Sequence, residues 1–82
     1  MPRYFFHVDN GTTTLDSEGA ELDDLETAER EAVLTCGEML REVPLAILQD
    51  HPWRLWVTDQ PNKLGGTLLF NLTVSLVQGV LH

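Results

Sequence analysis

The stretch RYFFHVDNGTTTL, residues 3–15, decides how the chain is read. Its side chains alternate, with Tyr4, Phe6 and Val8 on one face and Phe5 and His7 on the other, the period-two pattern of a strand. Asn10-Gly11 follows at once and favours a type I′ turn, in which both central residues take positive φ. A two-residue loop there sets Asp9 against Thr12, Val8 against Thr13, His7 against Thr14 and Phe6 against Leu15. Phe6 and Leu15 then share a core face, and residues 3–15 are a hairpin whose second strand is short.

Working outward, the polar connection DSEGAELDD, residues 16–24, leads into a helix over about 24–43. Asp23 or Asp24 can cap it by accepting from the unpaired N–H groups of its first turn, and Glu26 suits the positive end of its dipole. Leu25, Ala28, Ala32, Cys36, Met39, Leu40 and Val43 make one apolar stripe at spacings of three and four, with Glu29, Arg30, Glu38, Arg41 and Glu42 on the wet side. Pro44 ends the run, and LAILQDHP, residues 45–52, reads as a short helical turn whose Ile47 and Leu48 cover the end of the core. Trp53–Thr58 alternates again, setting Leu55 and Val57 against Arg54, Trp56 and Thr58. A turn-rich segment from Asp59 to Gly66 precedes a last strand from Thr67 to Val74, with Leu68, Phe70, Leu72 and Val74 on one side. The second hairpin is thus about 53–74, and an apolar tail, residues 75–82, follows. The order β-β-α-β-β predicts a single α+β domain over residues 1–82, a two-layer sandwich with one helix packed on an antiparallel four-stranded sheet.

The totals narrow the function classes. A formal charge of −8 at pH 7, with Arg3, Arg30, Arg41, Arg54 and Lys63 as the five basic residues, argues against nucleic acid and against anionic membrane surfaces. Neither a signal-peptide pattern nor a membrane-spanning apolar run is seen, so a cytoplasmic location is expected. A chain of 82 residues buries a small core, which makes association with a second copy a source of extra stability.

RYFFHVDNG, then DSEGAELDD running into ETAEREAV and GEML, then WRLWVTD with TLLFNL, resemble a family of small bacterial proteins defined as a domain of unknown function. The likeness runs over residues 3–72 and implies a stand-alone cytoplasmic domain with no established activity, and hence no catalytic residue to carry over. Trp56 departs from the pattern, where the third strand of the family carries a charged or polar residue, and so does the apolar tail after residue 74. The element order is also distantly similar to the small domain of HicB-type antitoxins, a likeness of topology that carries no function.

Three chemical readings compete. His7 with Asp9, Asp16 and Glu18 could form an acid–base or metal site, but the loop after Asp16 lacks the donor spacing of a calcium loop, and the expectation is no catalytic residue and no cofactor. His51, beside Pro52, and the terminal His82 are isolated, so a three-histidine zinc site is not expected; Cys36, the one cysteine, reads as a buried structural thiol. Nine of the thirteen carboxylates lie between Asp9 and Glu31, offset there by Arg30 alone, so a basic protein partner could dock on Asp16, Glu18, Glu21, Asp23 and Glu26 in an antitoxin-like or regulatory role. The heaviest weight falls on the sheet face away from the helix, predicted to carry Phe5, His7, Arg54, Trp56, Leu69 and Asn71. Phe5, His7, Arg54, Trp56 and Leu69 are the expected interface of a homodimer, with cover by the tail (Leu76, Val77, Val80, Leu81) or a bound ligand as alternatives. The sequence therefore points to a non-enzymatic, self-associating interaction module.

Overall fold

The computed structural model describes residues 2–61 and 66–79. The chain forms β1 (Arg3–Asp9), β2 (Thr13–Thr14), β3 (Ala20–Glu21), α1 (Leu25–Leu40), α2 (Leu45–Asp50), β4 (Trp53–Thr58) and β5 (Leu68–Val74). The expected α+β architecture is present, with all strand pairings antiparallel. The sheet has five strands rather than four: its path is β2-β1-β4-β5, and β3 pairs with the start of β1 through Arg3↔Glu21 and Tyr4↔Ala20. Thus the polar connection is pinned at both ends to the edge of β1, with Leu15–Gly19 arching between them.

The first hairpin corrects the expected register. Asp9 pairs with Thr13 and Val8 with Thr14, so three residues, not two, make the loop. Gly11 takes positive φ (104°) and Asn10 does not, which rules out the type I′ turn. Side chains replace it: the Asp9 carboxylate accepts from Gly11 N–H at 2.9 Å and the Asn10 amide oxygen from Thr12 N–H at 3.3 Å. A one-residue slip reverses every side chain on the second strand, and Leu15 ends 37% exposed instead of sharing a core face with Phe6.

Helix α1 starts as expected. The Asp24 carboxylate accepts from Thr27 N–H at 2.8 Å and from its hydroxyl at 2.7 Å, and Glu26 lies in the first turn. It stops at Leu40, not near 43, and Pro44 opens α2 rather than ending α1. The stripe is narrower than predicted, because Ala28, Ala32 and Cys36 are buried while Leu25 and Met39 are exposed. These small side chains bring the helix close to the sheet, where Tyr4, Trp53, Leu55 and Val57 supply the bulk of the buried cluster. Leu48 of α2 closes one end, as expected, whereas Ile47 is exposed. The Trp53 indole N–H is buried without a hydrogen-bond partner among the described residues, an uncommon cost inside a core.

Strand β5 carries an irregularity that sequence alternation misses. Val57 pairs with Phe70 and Thr58 with Leu68, leaving Leu69 as the extra residue. Consequently Leu68 is 54% exposed rather than in the core, and Leu69 packs against the helix-side cluster rather than on the far face. Beyond β5, Leu76 also joins that cluster, and its N–H donates to Leu48 C=O at 3.5 Å; Val77 is exposed. The tail therefore runs on the helix side and does not cover the far face over residues 75–79, while Val80, Leu81 and His82 lie outside the described residues.

Close contact between α1 and the sheet makes a size-dependent prediction. Ala32→Leu is expected to destabilise the protein by about 1–3 kcal/mol through overpacking. Val33→Ser, one residue along on the exposed side, is expected to cost roughly 0.5 kcal/mol or less. Urea unfolding followed by tryptophan fluorescence separates the two.

Candidate functional site

The far face of the sheet is not open where the sequence suggested. His7 is 0% exposed and Phe5 5% exposed, because the Leu15–Gly19 segment is strapped across them. Asp16 organises this strap. Its carboxylate accepts from Glu18 N–H and Gly19 N–H, both at 3.0 Å, which folds the strap into a self-contained turn, and from Phe6 N–H at 3.1 Å, which docks it on β1. Its own N–H donates to His7 Nδ1 at 3.0 Å. Arg3 adds a third attachment, donating to Glu18 C=O at 2.8 Å. Gly19 (φ 71°) lies on the Phe5 ring: a Cβ at this position would sit 2.8 Å from Phe5 Cε2, so the cover depends on a residue with no side chain.

Across the ring, His7 Nε2 lies 2.9 Å from Thr58 Oγ1, and the Thr58 hydroxyl donates to Gln60 C=O. The direction of every hydrogen bond follows. A backbone N–H can only donate, so Nδ1 accepts; the neutral imidazole then carries its proton on Nε2 and donates to Thr58, whose own proton goes to Gln60. Thr58, His7 and Asp16 look like a nucleophile–base–acid row, yet the polarity is reversed. In this arrangement His7 has no lone pair facing the hydroxyl, and the Asp16 carboxylate is spent on backbone N–H groups. Burial pushes the His7 imidazole below its ordinary value, against the opposing pull of the Asp16 carboxylate. Asp16 lies below the usual carboxylate range: burial raises it, but the three N–H donors and the nearby imidazole outweigh burial.

The other anticipated residues are distributed differently. Trp56 is half-buried, its ring centroid 5.4 Å from that of His7, with the Arg54 guanidinium 5.0 Å from its own centroid. Thus Arg54, Trp56 and His7 form one stack, of which Arg54 and part of Trp56 reach solvent, beside the exposed Asn71 and Thr73. Of the acidic set, Asp16 is turned inward, while Glu18, Glu21, Asp23 and Glu26 are exposed, Glu21 paired with Arg3 at 3.0 Å and Glu26 with Arg30 at 3.3 Å. His51 is exposed beside the Gly11 loop, its Nε2 2.9 Å from where a Cβ on Gly11 would lie, and His82 lies outside the described residues. Cys36 is buried, and burial raises its thiol pKa, as an inert structural cysteine requires. Among the described residues, no group of three or more His, Cys, Asp or Glu is placed to hold a metal ion. Thr58 is the partner that sequence reasoning missed: it stands 51 residues from His7, and the Phe5↔Thr58 register alone brings it near.

Asp16→Asn keeps the shape of the strap but removes the charge that binds three N–H groups, and is expected to cost roughly 1.5–3 kcal/mol at neutral pH. The sign of the acid dependence follows from the lowered pKa. The folded state holds Asp16 ionised more firmly than the unfolded chain, so its contribution is present above the ordinary carboxylate value of about 3.9 and is lost as pH falls below it. The cap Asp24 has the same sign, so thermal melts between about pH 5 and about pH 2 should show a shallower acid loss in Asp16→Asn, not its disappearance.

The family resemblance is the remaining test of identity. The model of the Domain of unknown function (DUF6894) matches residues 3–75, which takes in β1 through β5 and the strap. No curated protein and no solved structure matches the chain. The chain belongs to the DUF6894 family.

Proposed function

We propose that this protein is a non-enzymatic interaction module that associates with a second copy of itself along the outer edge of β5. One contrast carries the reading: the two edges of the sheet are treated differently. At the β1 edge, β2 and β3 are two residues each, the Asp16 carboxylate takes the Phe6 N–H, and the Arg3–Glu21 ion pair guards the end. At the other edge β5 runs for seven residues, LLFNLTV, with no charge and no proline, and β4 is its one strand partner among the described residues. Proteins usually blunt so long and neutral an edge, because its unpaired N–H and C=O groups accept another strand.

The pattern of β5 fits its own copy. Antiparallel pairing about Asn71 sets Phe70 against Leu72 on the helix-covered face and Asn71 against Asn71 on the other. The Arg54–Trp56 strip of each copy then continues across the joint, which retains Arg54 and Trp56 from the sequence-based interface and replaces Phe5, His7 and Leu69 with the edge itself. A basic partner docked on the acidic region is the weaker reading, because Arg3 and Arg30 neutralise two of its carboxylates and Asp16 is turned inward.

Light scattering at micromolar concentration is expected to give a dimer. The double variant Leu68→Lys/Thr73→Lys, both at exposed positions, should give a monomer with an unchanged far-ultraviolet circular dichroism spectrum. A wild-type protein that is monomeric throughout this range overturns the proposal.

A further inference from the structure

We propose that Leu15–Gly19 is an acid-released strap: protonation of His7 undocks it from β1 and uncovers Phe5 beside Trp56. The inference is independent of strand pairing at β5.

The argument rests on how the strap is held. Two of the four bonds that Asp16 makes, from Glu18 N–H and Gly19 N–H, lie within the strap, so it moves as a preformed turn. Its docking on β1 comes down to Asp16 N–H to His7 Nδ1, Phe6 N–H to the Asp16 carboxylate, and Arg3 to Glu18 C=O. The first tolerates only a neutral imidazole with a bare Nδ1. Adding a proton there points one N–H at another across 3.0 Å, and rotating the ring does not help, because both ring nitrogens of an imidazolium are donors. The imidazolium retains an acceptor at Thr58 Oγ1 and none at Nδ1 unless the strap shifts. Either response of the strap, withdrawal or a slide that brings the Asp16 carboxylate onto Nδ1–H, displaces Gly19 from the Phe5 ring.

The charges facing His7 set the balance. Asp16 on the strap favours the imidazolium, while Asp9, two residues along on the same face of β1, accepts from Gly11 N–H. Arg54 on β4, stacked on the far part of Trp56, opposes it. Thr58, Gln60 and the nearest β5 residue, Asn71, carry no charge, and Arg3, Glu18 and Glu21 lie at the other end of the strap. Burial keeps the ring neutral near pH 7, and the sign is fixed. Because the closed state holds the proton less readily than an opened one, opening becomes easier as pH falls below the ordinary imidazole value of about 6.5. What is uncovered is Phe5 and His7, which with the half-exposed Trp56 beside them make an aromatic patch that neutral pH keeps partly shut.

Amide hydrogen exchange resolved by residue, with the imidazole shift of His7 followed in parallel from about pH 7.5 to about pH 5, tests this directly. As His7 titrates, protection of the Phe6 and Asp16 amides, after correction for intrinsic exchange, is expected to fall about tenfold or more while α1 amides hold theirs. Binding of a hydrophobic fluorescent dye should rise over the same range. His7→Gln should abolish the pH dependence. Gly19→Ala, which forces a methyl group into the Phe5 ring, should bind the dye already at neutral pH and so tests the cover even if His7→Gln does not fold. The proposal is overturned if His7 titrates with Phe6 and Asp16 protection unchanged, if it does not titrate above about pH 5, or if all amides lose protection together.

Discussion

The hydrogen-bonding need of one strand organises the molecule. β1 is flanked by β4 on one side and by two separated pairs, β2 and β3, on the other. Between those pairs Phe6 N–H faces no strand, and a buried donor must find an acceptor. Asp16 supplies it from the arch between β2 and β3, and the same residue's N–H meets His7 on the far face. One residue therefore closes the sheet edge and shapes the strap with its carboxylate, and sets the tautomer of the buried His7 ring with its backbone N–H. The core on the helix side is ordinary by comparison: apolar rings and aliphatics beneath two alanines and a cysteine.

Much of the framework was legible because it follows from periodicity and capping. The alternation in 3–8 and 53–58, the capped amphipathic run from Leu25 and the turn-rich break after Thr58 are local signals, and they lead to the α+β sandwich. Two of the errors, at the first loop and at the edge of β1, share a physical source, a side chain standing in for backbone. Asp9 and Asn10 cap the first loop with their side chains, lengthen it by one residue and reverse the face of Leu15. Asp16 does the same for the edge of β1, hiding Phe5 and His7, which alternation alone leaves in water. At β5 the extra residue Leu69 shifts the parity of Leu68 and itself. None of these substitutions leaves a periodic trace. Asp16-Ser-Glu-Gly19 is a recognisable turn pattern, but what it would lie against depends on the tertiary fold.

The two sheet edges express a division of labour. The β1 edge is short, charged and internally satisfied; the β5 edge is long and neutral. A small domain with little core gains by extending its sheet through a partner, since each added strand satisfies backbone groups and lengthens a buried face without enlarging the monomer. The Arg54–Trp56 stack, partly wet and next to that edge, would give a sheet extended there a polar-aromatic surface in place of a greasy one.

The span of the His7–Thr58 hydrogen bond has a consequence for how the chain acquires its shape. Its two ends are 51 residues apart, and the partners of β1 on β4 are all distant in sequence. Closing so large a loop costs entropy before any contact rewards it. The first hairpin and its strap are local, yet Phe5 and His7 are sealed on one side by the strap and on the other by residues that arrive with β4. The amino-terminal segment therefore has no finished form of its own: the orientation of a histidine in the first tenth of the chain is completed by a threonine in the last third, and native order in that segment is expected only once the whole sheet has assembled.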